Sequence, residues 1–173
     1  MPSPTPIPPS PLLVDLADLA ATESLAARLA DRARIGDVIA LSGGLGMGKT
    51  TFARAFIARR AGGLAAPIEV PSPTFTLVQF YYLPGGPVWH FDLYRLAAPE
   101  EAWELGLEEA LASAISLIEW PERLGPLLPA HHVAVALAPG PHPGARRARL
   151  TLGAGDERWA DRARIYAAGP ADV

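Results

Sequence analysis

Residues 43–50 read Gly-Gly-Leu-Gly-Met-Gly-Lys-Thr, a full match to the pattern GxxxxGK[ST]. No other stretch restricts the fold as much. Glycine admits the positive φ angles that let successive backbone N–H groups converge on an anion. Directly before the octet stands Val38-Ile39-Ala40-Leu41, an unbroken apolar run between Gly36-Asp37 and Ser42-Gly43. Such a run is the mark of a strand buried on both faces of a parallel sheet. Directly after it, the spacing predicts a helix from about Lys49 to Ala61, stopped by Gly62-Gly63. Strand, glycine loop and helix in this order aim a positive helix N-terminus at the same anion. The octet therefore predicts a triphosphate site. Gly43, Gly44, Leu45, Gly46, Met47 and Gly48 form the cradle, Lys49 reaches the β- and γ-phosphates, and the Thr50 hydroxyl is placed to ligate Mg²⁺. Thr51 follows in the same binding stretch. Met47 stands where a small residue is common, and its side chain is expected to point away from phosphate.

Composition sharpens this reading. Lysine occurs once in 173 residues, at Lys49, against fourteen arginines, so the one ammonium falls in the slot where the chemistry requires it. Asparagine is absent, and with the single lysine inside the loop the guanine-reading NKxD cannot exist. No DxxG lies beside the candidate acids, so ATP is expected rather than GTP. The absence of cysteine excludes disulfides, a thiol nucleophile and a Cys-ligated zinc site. His90, His131, His132 and His142 form no HExxH pair. A net charge of −3 argues against broad coating of nucleic acid. No apolar run reaches the ~18 residues of a membrane helix, and no secretory signal is visible. No membrane association and a cytoplasmic location are expected.

Six prolines within residues 1–11 favour a disordered tail. Residues 12–166 are expected to form a single P-loop ATPase domain, and 167–173 a loose C-terminal tail. The expected fold is α/β, a P-loop NTPase fold with a central mixed sheet, partly parallel and partly antiparallel, flanked by helices. A helix is expected from Thr22, as N-cap, to about Arg34. Thr74 to Tyr82 and Val88 to Phe91 read as a hairpin around Pro84-Gly85-Gly86-Pro87. Pro99 to about Ser113 reads as helix broken at Gly106, and Ile115 to Ile118 as a strand. Val133–Leu137 and Arg149–Leu152 read as late antiparallel strands.

Hydrolysis or phosphoryl transfer also needs a carboxylate near the metal and the attacking water. Glu119 ends one apolar run and is followed by Trp120-Pro121; Asp92 ends another. Ser72-Pro73-Thr74 offers either a switch-like hydroxyl or ordinary turn chemistry. His90 reads as a packed strand residue or an acid/base, and Arg95 as a phosphate contact or a helix cap. Trp103 and Trp120 read as core or partner-docking aromatics. Arg146, Arg147 and Arg149 read as a solvated strand edge or a contact for RNA or a partner. Glu100, Glu101, Glu108 and Glu109 read as a solvated helical face. The residues alone leave three function classes open: an ATPase, a P-loop small-molecule or nucleoside kinase, and an ATP-gated protein-docking module.

Five blocks together narrow the choice. They are Leu45-Gly46-Met47-Gly48-Lys49-Thr50-Thr51-Phe52, Ser72-Pro73-Thr74-Phe75-Thr76-Leu77-Val78, His90-Phe91-Asp92-Leu93-Tyr94-Arg95, Leu105-Gly106 and Ile118-Glu119-Trp120-Pro121-Glu122-Arg123. In order and spacing, from about Thr22 to Arg123, they resemble the successive motifs of the TsaE (YjeE) ATPases. That resemblance implies a bacterial factor for threonylcarbamoyl modification of adenosine next to the anticodon. Such a protein acts with the TsaD–TsaB heterodimer, meets tRNA only indirectly through that complex, and hydrolyses ATP with Mg²⁺, weakly when alone. Carried over by position, Lys49 would hold phosphate, Thr50 and Glu119 would hold Mg²⁺, and Asp92 would be the second essential acid. Lys49, Asp92 and Glu119 are then the expected catalytic residues. Thr74 would be a switch-like hydroxyl, and Trp120 would border the nucleotide or the partner surface.

Overall fold

The computed structural model describes residues 10–62 and 68–153. Most of the expected proline-rich tail and everything from residue 154 onward, including the expected loose C-terminus, lie outside the described residues. Seven strands form one sheet: β1 (Leu12–Leu16), β2 (Val38–Ser42), β3 (Val78–Tyr81), β4 (Val88–Asp92), β5 (Ile115–Glu119), β6 (Val133–Pro139) and β7 (Arg146–Leu152). Their order is β1-β7-β6-β2-β5-β4-β3. The pairs β6–β2, β2–β5 and β5–β4 are parallel. Antiparallel strands close both sides, β3 on β4 and β7 then β1 on β6. The mixed sheet expected from the sequence is therefore present, with the parallel strands at its centre.

The period-two alternation of the central strands sends side chains to two separate cores. Ile39, Leu41, Leu117 and Val135 pack with Leu25, Leu29, Phe52 and Phe56 of α1 (Leu19–Arg32) and α2 (Lys49–Arg60). Val38, Phe91 and Ile118 pack on the other face with Leu107 and Ala110 of α4 (Leu107–Ser113) and Ala102 of α3 (Glu101–Glu104). Gly106, at φ 82°, separates α3 from α4, so the expected break falls where the sequence suggested. A Cβ there would come within 2.8 Å of the Trp89 ring. Glu100, Glu101, Glu108 and Glu109 are exposed, as expected for a solvated face. Among the described residues no helix is long and apolar enough to cross a membrane.

Four expectations need correction. First, α1 begins at Leu19 and ends at Arg32, and its N-cap is Asp18, not Thr22: the Asp18 carboxylate accepts from Ala21 N–H at 2.8 Å. Thr22 lies buried inside the first turn. Second, only Val78–Tyr81 of the first hairpin arm is strand; Thr74–Thr76 form a turn, because Leu77 at φ 66° turns the chain. Third, β7 starts at Arg146 and is not an edge: it pairs with β6 on one side and β1 on the other. Arg147 and Arg149 are exposed on the sheet face, with Arg147 paired to Asp15 at 2.8 Å. Fourth, β1 itself was not expected as a strand. Its alternation is only five residues long and its partner stands more than 130 residues later.

Candidate nucleotide site

Register brings the site together. β2, β5 and β4 run parallel with Leu41 opposite Glu119 and Glu119 opposite Asp92. The glycine loop, Glu119 and Asp92 therefore meet at the carboxyl ends of three adjacent strands, where open α/β sheets bind ligands. Glu119, Asp92 and His90 lie on the α2 side of the sheet, in phase with Val88 and Leu117.

The loop from Gly43 to Gly48 passes through positive φ at Gly43 (137°), Gly46 (73°) and Gly48 (99°). A Cβ on Gly43 would stand 2.5 Å from the Leu137 carbonyl oxygen, so glycine is required there on two counts. Phe52 N–H makes the first helical bond, to Gly48 O at 2.9 Å. The N–H groups just before it, at the start of α2, have no intrahelical partner by helix geometry and are free for an anion.

Lys49 is 5% exposed. Its Nζ donates to the Gly43 and Gly44 carbonyls at 2.6 and 2.8 Å and lies 4.0 Å from the Trp120 ring centroid. Burial pushes the ammonium below its ordinary lysine value; the charges of Glu119, Glu122 and Asp92 pull it partly back. Trp120 holds this position from the left-handed conformation, φ 58° and ψ 51°. That conformation is strained for a bulky side chain. Its ring also packs against Tyr94 at a tilt of 45°, with centroids 4.8 Å apart.

Thr50 Oγ1 donates to Glu119 Oε2 at 3.0 Å. The other carboxylate oxygen, Oε1, lies 2.8 Å from His90 Nε2. Glu119 is 2% exposed and His90 fully buried. Beside them, Thr74 Oγ1 donates to Asp92 Oδ2 at 2.9 Å and lies 2.7 Å from Ser72 Oγ. Asp92 Oδ1 accepts from Tyr94 N–H at 3.1 Å. A cleft of about 270 Å³ joins Gly46, Lys49, Thr50, Thr74, Asp92, Glu119 and Trp120.

The expected site residues thus converge on one cleft or on the loop that walls it. The Arg95 guanidinium lies 4.4 Å from the Phe75 ring centroid, and Arg95 is not among the residues that line the cleft. Trp103 is half exposed, away from this cleft. His90 is the packed strand residue of one reading, yet its partner is a site carboxylate. Sequence reasoning missed Tyr94 as a wall residue, Glu122 as a charge near Lys49, and Arg146. Arg146 Nε and Nη2 donate to the carbonyls of Met47 and Gly46 at 3.3 and 3.2 Å. Only the three-dimensional pairing of β7 signals that contact, across about 100 residues of chain.

The donors fit a hard divalent cation held with a phosphate chain. Mg²⁺ uses one or two protein oxygens plus substrate oxygens rather than an all-protein cage. Thr50 Oγ1 and Glu119 Oε2 provide such oxygens. Among the described residues, no cluster of three His, Cys, Asp or Glu forms a cage.

The family described as "Threonylcarbamoyl adenosine biosynthesis protein TsaE" matches residues 16–148. A tRNA threonylcarbamoyladenosine biosynthesis protein TsaE of Rickettsia bellii is 43% identical over 116 residues, 67% of this chain and 78% of that protein. The protein of the same description from a Nostoc species is 38% identical over 141 residues, 79% of this chain and 83% of that one. The crystal structure of a Bacillus protein, YdiB, superposes with a TM-score of 0.72 at 25% identity, covering 92% of this chain and 97% of the other.

Proposed function

This chain belongs to the TsaE family of tRNA threonylcarbamoyladenosine biosynthesis, and from that premise we propose that it binds ATP with Mg²⁺ and hydrolyses it in the service of that modification. The observation that carries the proposal is the meeting of Lys49, Thr50 and Glu119 at the mouth of a phosphate loop. The main-chain amides of the loop and the start of α2 bind the phosphate chain. Lys49 exchanges its two carbonyl partners for β- and γ-phosphate oxygens. Thr50 and Glu119 would hold Mg²⁺, which would supply charge neutralisation to the phosphate chain. Asp92 is the second acid. Thr74 and the Tyr94 amide fix both of its oxygens, a geometry suited to orienting the attacking water toward the γ-phosphate. Trp120 covers Lys49 and excludes solvent from the ammonium.

TsaD and TsaB are the proposed partners, with tRNA met only through that assembly. The test is phosphate release from Mg²⁺–ATP by the chain alone and with TsaD–TsaB. Slow release alone and faster release with the heterodimer is expected. Partner binding that needs ATP but is unchanged when Glu119 and Asp92 are replaced would favour a docking module instead. A phosphorylated small acceptor would favour a kinase.

A further inference from the structure

The Ser72-Pro73-Thr74 turn carries two hydroxyls, and the function above uses only that of Thr74. Ser72 Oγ lies 2.7 Å from Thr74 Oγ1, an ordinary O–H···O separation. Thr74 Oγ1 in turn donates to Asp92 Oδ2 at 2.9 Å. A hydroxyl has one proton to give, and Thr74 gives its own to the carboxylate. Ser72 is therefore the donor in the first bond. The bonds run in one direction, from Ser72 to Thr74 to Asp92, and a hydroxyl that donates to a carboxylate is polarised into a better acceptor for the next donor. Burial rises along the same path: Ser72 is exposed, Thr74 half-buried and Asp92 4% exposed. Thr74 and Asp92 line the nucleotide cleft, and Ser72 does not.

The backbone fixes the spacing of the two hydroxyls. Pro73 is buried, its ring sets its own φ, and it confines Ser72 before it to extended conformations. Leu77 N–H donates to the Pro73 carbonyl at 2.6 Å and closes the turn. Leu77, left-handed at φ 66°, has its carbonyl accept from Asp92 N–H at 2.9 Å. That conformation is strained for leucine and persists only where the surroundings impose it. Segment 72–77 thus holds Asp92 twice, through the Leu77 main chain and through the Thr74 side chain. The Leu77 contact is backbone to backbone. The Thr74 contact depends on rotation about one side-chain bond. The bond from Ser72 restrains that rotation, because turning Thr74 away from Asp92 then breaks two hydrogen bonds rather than one.

We propose that Ser72 is a positioning residue for ATP hydrolysis: by donating to Thr74 it fixes the hydroxyl that orients Asp92. The inference rests on the ATP reading above. It is tested in the full chain with Ser72→Ala, Ser72→Thr, Thr74→Val and the double variant Ser72→Ala/Thr74→Val. Single-turnover phosphate release from Mg²⁺–ATP with TsaD–TsaB present reads the chemical step, and calorimetric titration reads ATP affinity. Ser72→Ala slows release about three- to tenfold, the rate equivalent of one hydrogen bond. Its ATP affinity and melting temperature stay native, because Ser72 is exposed and outside the cleft. Ser72→Thr keeps the hydroxyl and restores the rate. Thr74→Val is slower than Ser72→Ala, and adding Ser72→Ala to it slows release no further, since both groups act through one chain of bonds. A native rate in Ser72→Ala, no rescue by threonine, or the same loss from Ser72→Ala in both backgrounds overturns the proposal. So does a fall in ATP affinity or melting temperature that accounts for the lost rate. A native chain that binds no ATP, or binds it and releases no phosphate with the heterodimer present, overturns the ATP reading, and the role of Ser72 with it.

Discussion

Replacing His90 with leucine isolates the buried side of the site. His90 Nε2 and Glu119 Oε1 are 2.8 Å apart, and both side chains are shut off from water. A hydrogen bond to a charged group contributes about 1.5–3 kcal/mol, and a buried acceptor left without a donor costs its desolvation in full. Two features reduce the loss in His90→Leu. Glu119 keeps the Thr50 hydroxyl on Oε2. His90 Nδ1 is buried without a hydrogen-bond partner among the described residues, and leucine removes that orphan too, returning about 1 kcal/mol. The net destabilisation is then about 0.5–2 kcal/mol, which for a chain of this size lowers the melting temperature by about 1–8 °C. His90→Gln, which retains a donor, stays close to the native melting point. The second readout is the metal. Residues that orient a ligand typically change metal affinity by about 10–100-fold, so the Mg²⁺ concentration for half-maximal ATP hydrolysis rises about tenfold in His90→Leu and much less in His90→Gln. A leucine variant with native melting and native Mg²⁺ dependence would refute the argument that His90 orients Glu119.

Gly43→Ala forces a Cβ to within 2.5 Å of the Leu137 carbonyl oxygen at φ 137°; calorimetry should show a loss of about 1–3 kcal/mol together with weakened ATP binding. Trp120→Gly should unfold at a higher temperature than Trp120→Ala, by about 1 kcal/mol, because both lose the indole and only glycine relieves the left-handed backbone; equal melting would show that position 120 stores no strain. Lys49 is held below its ordinary lysine value by burial, so between that lowered value and 10.5 the unfolded chain binds more protons and the Lys49 contribution to stability increases with pH. Phosphate charge reverses the shift, so ATP binding in that alkaline window takes up a proton and weakens as pH rises; calorimetry in two buffers of different ionisation enthalpy measures the uptake, and its absence would remove Lys49 from the phosphate contact.

The phosphate loop was legible because its determinants are local: the glycines, Lys49 and Thr50 all lie within eight residues beside a buried strand. Glu119 and Asp92 were legible as acids at the ends of apolar runs, and parallel pairing then placed them opposite each other. What stayed hidden depends on distance along the chain. His90 and Glu119 meet only because β4 and β5 pair in one particular register. Arg146 looked like a solvated charge because nothing near it in sequence marks β7 as an interior strand. The start of α1 was misplaced for a different reason. Asp18 and Thr22 stand four apart and both suit a cap, while Leu19 and Ala20 are exposed, so the first turn carries no apolar stripe to mark it.

The two ends of the proposed site differ in how much they must rearrange. A threonine hydroxyl has one proton and two lone pairs. With its proton on Glu119, Thr50 presents its lone pairs to a cation without turning, and Glu119 in turn is held by His90. The metal end is therefore set by a chain of buried bonds running from β4 through β5 to α2. At the phosphate end, Lys49 must leave the Gly43 and Gly44 carbonyls. That exchange favours the ligand, because the ammonium is already desolvated by the fold and charged oxygens bond it more strongly than neutral carbonyls. On the proposed function, binding strength would reside with Lys49 and the loop amides, whereas turnover would depend on whether Glu119 and Asp92 keep their orientation. Replacement at Thr74 should act on the second quantity and leave the first nearly intact, whereas replacement at His90 also weakens the hold on Mg²⁺.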